Sequence, residues 1–480
     1  MNMAMNAEWT SRLESWRHEL KNHFYRPLRN VAWSGFVTAE HLTPEKAMRR
    51  KFCPMRPGMR WGAKWEYGWL RTTVKLPEEA AGQPIVLYPG FTAESLIFID
   101  GRVATGQNNP IVLTRRGEAG REFDVLIEAY AGHGPTKQGA GPVPPDRPVG
   151  EPSPPEQIQM GQATFGLWQE EAYQLSIDVE TLWQIRNNLK PESLLRVCQI
   201  DAALKDFTLT VDYEAPVGER LASFRKARQL LQSVLRKVNG STMPTLFAFG
   251  HAHIDVAYLW PLAHTTRKIA RSFANQLELI DRYGRHRFLQ SQPYLYWMTK
   301  THYPELYDRV RKAVQSGHII PDGGMWVEAD TNIPSGESLI RQFLHGKRFF
   351  REEFGVDNKV LWLPDVFGYS GAMPQIMKGC GIEYFSTQKI WWLYYGGDPF
   401  PFNNFIWEGI DGSEVLVHLH NDYNSMTDPS ATIRRWNDRV QKDDIETFLF
   451  PFGWGDGGGG PCRDHMEFLE RQKDLEGAPR

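Results

Sequence analysis

Residues 245–255 read Thr-Leu-Phe-Ala-Phe-Gly-His-Ala-His-Ile-Asp. A short apolar run, typical of a buried strand, ends at Phe249, and two imidazoles and a carboxylate follow at once. In barrels and open sheets of the α/β class, active sites collect at the carboxyl ends of the parallel strands. The segment therefore predicts an α/β domain with a catalytic or metal-binding site at this strand end.

Alternation of strand-like and helix-like segments continues along the C-terminal half. Further apolar runs occur at 318–320, 359–363, 383–386, 414–417 and 447–450, and helix-like stretches lie at 266–283, 304–317 and 338–354. This alternation is typical of βα units in a parallel barrel or sheet. We therefore predict that residues 244–480 form a β/α catalytic domain.

The N-terminal half has a different pattern of predicted helices and strands. Residues 1–60 show weak helical periodicity and predict an amphipathic lead-in helix, whereas 61–215 contain short strands at regular spacing, the last at 207–211, and predict a β-sandwich. An insert at 132–156 is rich in Pro and Gly and predicts a loop without regular structure. Residues 216–243 predict a linker helix, so the fold class is multi-domain, α/β plus β.

Composition excludes several classes of protein. The chain has 480 residues, 41% of them hydrophobic, and a net charge of -2, which gives no electrostatic footprint for nucleic acid or an anionic membrane. No apolar stretch is long enough to span a bilayer, and the N-terminus lacks the pattern of a signal peptide. The four cysteines are widely spaced and predict reduced thiols. We expect a cytoplasmic protein, with a homo-oligomer left open.

The pattern His-x-His-x-Asp predicts a metal site. His253 and Asp255 are two residues apart in an extended segment, so both can face one side and bind one ion. His251 shares that side, and the spacing leaves open which of the three coordinate. Zinc suits such ligands best, with cobalt or manganese as alternatives.

Two further aspartates follow strand-like runs. Asp365 comes directly after Val360-Leu-Trp-Leu-Pro364, where a carboxylate is costly to bury without a partner such as a metal ion; a helix N-cap is the alternative. Asp456 lies between an aromatic run and the glycines 457–460, which fits a loop that approaches a ligand closely. A retaining glycosidase needs two carboxyl groups about 5–5.5 Å apart, and Asp365 and Asp456 could supply them.

Other predicted strand ends are also followed by polar or aromatic side chains. Candidate substrate-binding residues among them are Trp326, Glu328, Lys389 and Tyr423, and His418 and His420 follow the run at 414–417. Each of these alone is more often a satisfied surface group than a ligand contact. Their recurrence at strand ends favours a common site.

At these positions the chain resembles the glycoside hydrolase family 38 α-mannosidases, in the branch that includes cytosolic and many bacterial enzymes. The resemblance covers 249–460. Its motifs are Gly250-His-Ala-His-Ile-Asp255, Gly324-Met-Trp-Val-Glu-Ala-Asp-Thr-Asn332, Trp362-Leu-Pro-Asp-Val-Phe-Gly-Tyr-Ser370, Thr387-Gln-Lys389 and Gly453-Trp-Gly-Asp-Gly-Gly-Gly-Gly460. It implies a retaining, metal-dependent α-mannosidase, usually with zinc, acting on terminal α-mannosyl residues of oligosaccharides or small mannosides. It also implies a seven-stranded β/α barrel-like domain after a sugar-binding-like sandwich.

The resemblance assigns roles to individual residues. It implies that His253, Asp255 and Asp365 are metal ligands, that Asp365 is also the nucleophile, and that Asp456 is the acid/base. Phe367 and Tyr258 would lie near the sugar, with Tyr258 standing where the family has Trp. The family also has a further ligand His and C-terminal domains in later segments, so we expect full activity to require sequence beyond Arg480.

Three alternatives remain at this point. The same strand-end residues suit a metal-dependent hydrolase resembling polysaccharide deacetylases, because the metal could activate water at an amide carbonyl. A carbohydrate-binding remnant would bind sugar without hydrolysis. Lastly, the apolar faces of the β/α domain could prevent the chain from folding stably alone.

Overall fold

A computed structural model describes residues 5–63, 65–106, 110–132, 157–189, 194–258, 260–391, 400–443 and 445–480. Most of the Pro- and Gly-rich insert predicted at 132–156 lies outside the described residues. In the part of the chain that is described, no helix combines the length and apolarity needed to cross a bilayer.

The N-terminal strands form two antiparallel sheets. The strands are β1 (Tyr25–Val31), β2 (Trp33–Thr38), β3 (Cys53–Met55), β4 (Arg60–Trp61), β5 (Tyr67–Lys75), β6 (Ile85–Tyr88), β7 (Glu94–Ile99), β8 (Arg102–Thr105), β9 (Ile111–Thr114), β10 (Glu122–Tyr130), β11 (Ile158–Gln159) and β12 (Ala163–Trp168). One sheet has the order β1-β12-β6-β9 and the other β3-β2-β5-β10-β7-β8, while β4 pairs with β11. The buried side chains between the two sheets, such as Leu70, Ile97 and Phe165, form the core of the predicted sandwich.

Helices near the sandwich form a separate bundle. They are α1 (Ala7–Lys21), α3 (Glu170–Asn188), α4 (Leu194–Thr210) and α5 (Val217–Leu235); the short α2 (Pro44–Met48) lies between β2 and β3. Leu13, Leu182, Phe207 and Leu231 are buried together in its core. The helix predicted as a linker therefore packs as one member of this bundle.

Two predictions for the N-terminal half are wrong. The strand predicted at 207–211 is the end of α4, because Ile200, Leu204, Phe207 and Val211 recur at helical spacing and are all buried in the bundle. The predicted helical lead-in is helical only over Ala7–Lys21 and Pro44–Met48, since β1 to β3 already belong to the sandwich sheets. Apolar and polar residues alternate only weakly in these early strands, so the sequence pattern does not predict the strands.

The C-terminal half alternates strands and helices. Its strands are β13 (Thr245–His251), β14 (Phe288–Leu289), β15 (Ile319–Ile320), β16 (Val360–Trp362), β17 (Tyr384–Thr387), β18 (Asn404–Glu408), β19 (Glu414–Leu419) and β20 (Thr447–Phe452). Its helices are α6 (Leu262–Arg282), α7 (Pro293–His302), α8 (Pro304–Gln315), α9 (Gly336–Phe354), α10 (Met373–Gly379), α11 (Pro429–Asn437) and α12 (Arg463–Gln472). Short 3-10 turns occur at Glu78–Ala80 and Lys389–Trp391.

These strands form two sheets, ordered β15-β14-β13-β20 and β16-β17-β19-β18. All their pairings are parallel except that of β18 with β19. Within the described residues the two sheets are not joined by a strand ladder into a closed barrel. The carboxyl ends of the parallel strands carry the predicted site residues.

Helix α6 lies between the sandwich and the α/β domain. Leu96 and Phe98, on one face of β7, pack with Ile269 and Phe273 of α6 in a shared core. Glu128 of β10 also faces α6, and its Oε1 accepts a 2.7 Å hydrogen bond from Nε of Arg267. The outer face of the larger sandwich sheet is therefore an interface with the α/β domain.

Candidate active site and metal centre

His253, Asp255 and Asp365 converge at the carboxyl ends of β13 and β16. Nε2 of His253 lies 3.1 Å from Oδ1 of Asp255 and 3.1 Å from Oδ2 of Asp365. One ligand atom from each residue lies within 4.8 Å of the other two. Among the described residues, this is the one group of three or more His, Cys, Asp or Glu side chains with that geometry.

The donor set fits a zinc-like ion. Ligand atoms at about 2.0–2.2 Å from a tetrahedral ion are about 3.4 Å apart, close to the separations around His253 Nε2. One imidazole with two carboxylates is a chemistry that zinc, cobalt and manganese all accept. The three predicted ligands could therefore hold one divalent cation.

Glu328 contacts Nδ1 of His253, the ring nitrogen that does not contact Asp255 or Asp365. Its Oε2 lies 2.5 Å from Nδ1 of His253, and its Oε1 accepts a 2.8 Å hydrogen bond from Ser291. A carboxylate that accepts from Nδ1–H leaves the lone pair of Nε2 directed at the metal position. Glu328, predicted to bind substrate, instead contacts the candidate ligand His253. Burial lowers the pKa of His253, but the Glu328, Asp255 and Asp365 carboxylates outweigh it and raise that pKa well above its usual value.

The other candidate histidines, His251, His418 and His420, are not part of this group of three residues. Nε2 of His251 accepts a 3.0 Å hydrogen bond from the indole of Trp362, and burial lowers the His251 pKa to about 3. His251 is not part of the convergent group of His253, Asp255 and Asp365, which favours those three as the candidate ligands. His418 contacts Asn404, and the ring of His420 stacks on Trp362 at 4.4 Å.

Asp365 is surrounded by groups that favour its ionised form. Lys389 forms an ion pair with Oδ1 of Asp365, and His253 contacts its other oxygen. Burial raises the pKa of Asp365, yet His253 and Lys389 together lower it below its usual value. The Lys389 ammonium also lies 4.5 Å from the centre of the Phe367 ring and 5.7 Å from that of Tyr423.

The surroundings of Asp456 favour its protonated form, in contrast to those of Asp365. Partial burial, and then the negative charge of Asp365, raise the pKa of Asp456 above its usual value. A pair of carboxyl groups whose pKa values are pushed apart is the arrangement that separates a nucleophile from a general acid. The charge of Asp365 therefore acts on Asp456, and the assignment of the two carboxyl groups as a catalytic pair stays a prediction.

The aromatic candidates lie in three different environments. Phe367 and Tyr258 are 50% and 66% exposed, and Tyr258 lies on the loop that follows Asp255. Tyr423 is buried, and its ring lies 5.5 Å from that of His253. Trp326 instead packs in an aromatic cluster with Tyr294 and Phe349.

Two polar residues were missed by the sequence analysis. Gln292 donates to the Ile254 carbonyl at 2.9 Å and accepts from the Glu328 amide at 3.1 Å, so it joins the two loops that carry His253 and Glu328. Ser291 holds Glu328 itself. Both follow β14, whose two residues are too short a run for a strand signal.

Two family models match the chain. Residues 243–480 match the family described as "Glycosyl hydrolases family 38 N-terminal domain", and residues 27–175 match "Alpha-mannosidase, jelly roll domain". The second match begins near β1 and ends just after β12, so it covers the sandwich.

Several curated relatives share this similarity. Alpha-mannosidase 2C1 of Homo sapiens is 34% identical over 455 residues, covering 93% of this chain and 42% of the relative. An alpha-mannosidase of Saccharomyces cerevisiae is 38% identical over 269 residues, covering 53% of this chain and 25% of the relative. A crystal structure of an alpha-mannosidase from Enterococcus faecalis matches with a TM-score of 0.41 at 20% identity, covering 48% of this chain and 27% of that one. The chain therefore spans less than half the length of these relatives.

Proposed function

Because the chain belongs to glycosyl hydrolase family 38, we propose that it carries a retaining, metal-dependent α-mannosidase site. The substrates would be terminal α-mannosyl residues of oligosaccharides or small mannosides. The observation that carries the proposal is the convergence of His253, Asp255 and Asp365. The raised pKa of Asp456, caused by burial and by the charge of Asp365, supports its proposed role as the acid.

His253, Asp255 and Asp365 would hold the metal, with zinc as the proposed ion. When bound, the ion supplies Lewis acidity and a template for a pair of mannose hydroxyls. Glu328 fixes the orientation of the His253 ring, and Lys389 helps to keep Asp365 ionised.

In the first step, an oxygen of Asp365 attacks the anomeric carbon, and the bond from that carbon to the leaving oxygen breaks. Asp456, whose pKa is raised, gives its proton to the leaving oxygen. The product is a mannosyl ester on Asp365 and a free alcohol.

In the second step, the Asp456 carboxylate takes a proton from water. The water oxygen attacks the anomeric carbon, and the bond to Asp365 breaks. Two successive displacements leave the anomeric configuration unchanged. Phe367 and Tyr258 are proposed to contact the sugar.

The proposal has two further parts. In the described part of the chain, seven strands of the two sheets pair in parallel, which supports a barrel-like catalytic domain with one site at the carboxyl ends of its strands. Cytoplasmic location is supported by the four cysteines, which are all free thiols.

The test is an assay of the chain with 4-nitrophenyl α-mannoside, before and after removal of metal by a chelator and restoration with zinc. Metal-dependent release of mannose, at a rate that need not be the full rate, is expected, with the α-anomer as the first product seen by NMR. Release of acetate from an acetylated polysaccharide without release of mannose would favour the deacetylase alternative. Binding of mannoside without either reaction would favour the non-catalytic alternative.

A further inference from the structure

The loop that carries Asp456 has few side chains with which to hold its position. Within the glycine-rich loop, defined as residues 453–460, Gly457, Gly458 and Gly460 all adopt positive φ angles. One side of the loop faces a cavity of about 490 Å³, lined also by Phe91 and Thr92 of the sandwich. Because glycine loses much conformational freedom on ordering, the position of this loop depends on contacts to its backbone.

Helix α6 supplies two of those contacts. The Lys268 ammonium donates to the carbonyl of Gly457, the residue next to Asp456, at 3.1 Å. The hydroxyl of Ser272, one turn further along α6, donates to the carbonyl of Gly458. Both contacts come from the helix that also packs on the sandwich.

The sandwich in turn fixes Lys268. Its Nζ lies 2.9 Å from each carboxylate oxygen of Glu94 on β7, and only 5% of the Lys268 side chain is exposed. Arg271 donates to Glu94 at 2.5 Å, and Nε2 of His264 lies 3.2 Å from the same carboxylate. A buried ammonium keeps one position only when a carboxylate partner compensates for its lost hydration.

We propose that Lys268, held by Glu94 of the sandwich, is a positioning residue for Asp456. The sandwich is then part of the acid/base machinery, in addition to any contact with sugar. This inference rests on the proposed function, in which Asp456 protonates the leaving oxygen.

The test compares two mannosides that differ in their need for acid assistance. A dinitrophenyl mannoside has a leaving group that departs without a proton, whereas mannobiose needs one. General acid catalysis contributes about 10²–10⁴-fold, so a misplaced Asp456 should lower kcat/KM for mannobiose about 10–100-fold. For the dinitrophenyl mannoside we expect the decrease to be smaller than about threefold.

The variants are Glu94→Ala and Lys268→Met, and matched controls are Glu128→Ala and Arg267→Met. Glu128 and Arg267 form a second ion pair between the sandwich and α6, and their side chains are also buried, at 2% and 7% exposure. The control variants therefore measure the effect of losing an ion pair between the sandwich and α6 that does not contact the glycine-rich loop. They should lower kcat/KM for the two substrates by equal factors.

Hydrogen exchange gives a readout independent of turnover. Exchange at residues 453–460 should accelerate in the Glu94 and Lys268 variants and stay unchanged in the controls. Equal losses on both mannosides, together with unchanged loop exchange, would overturn the positioning role while leaving the proposed function intact. Lack of turnover of either mannoside by the metal-loaded wild-type chain would instead overturn the proposed function and this inference with it.

Discussion

Nδ1 of His253 lies 2.5 Å from Oε2 of Glu328, although the two residues are 75 positions apart in the sequence. This contact directs the other ring nitrogen at Asp255 and Asp365. The imidazole is thereby oriented for its proposed role as a metal ligand. Such support usually contributes to metal affinity almost as directly as the ligands do.

Glu328→Gln should weaken zinc binding by about 10–100-fold, because an amide is a poorer acceptor for the imidazole N–H than a carboxylate. Competition titration against a chromophoric chelator measures the dissociation constant. Glu353→Gln is the matched control, since Glu353 contacts Lys300 and Tyr307 instead. Unchanged affinity in Glu328→Gln would show that Glu328 does not support the ligand.

Asp365→Asn should lower kcat on an aryl mannoside by about 10⁴-fold, the scale on which a catalytic group of a coupled set acts. The variant loses both the nucleophilic oxygen and one anionic ligand. Asp411→Asn, in the turn between β18 and β19, is the control and should retain activity. Residual activity of Asp365→Asn within tenfold of the wild type would rule out the nucleophile assignment.

The pH dependence of kcat/KM should be bell-shaped. Asp365 must be ionised, and its lowered pKa sets the acid side, so activity falls as pH drops through that pKa. Asp456 must be protonated, and its raised pKa sets the alkaline side, so activity falls as pH rises through it. In Asp456→Asn the alkaline limb should disappear, and added azide should restore turnover of the dinitrophenyl mannoside. An alkaline limb that persists in this variant would assign the acid elsewhere.

Gly455→Ala should destabilise the chain by about 1–3 kcal/mol, because overpacked positions force backbone shifts. A Cβ there would lie 1.7 Å from the carbonyl oxygen of Tyr423. Gly284→Ala is the control, since its Cβ would meet no atom within 4 Å. The free energy of unfolding from urea denaturation distinguishes the two, and equal values would contradict the close packing of these loops.

The sequence predicted most strands that end in the site, because β13, β16 and β20 are apolar runs followed at once by polar residues. It failed where tertiary packing decides the outcome. Residues 207–211 have strand-like composition, but the buried positions Ile200 and Leu204 continue the helix into them. The ion pair between Glu94 and Lys268 could not be predicted from the sequence either. The two residues are 174 positions apart and come into contact only because the sandwich packs on α6.

The proposed function depends on the convergence of His253, Asp255 and Asp365 on one cation. The most direct measurement is a crystal structure of the chain with zinc, using anomalous scattering at the zinc edge. We expect one strong peak, bonded to Nε2 of His253 and to an oxygen each of Asp255 and Asp365 at about 2.0–2.2 Å. A peak bound to other residues, or no peak at this position at saturating zinc, would contradict it.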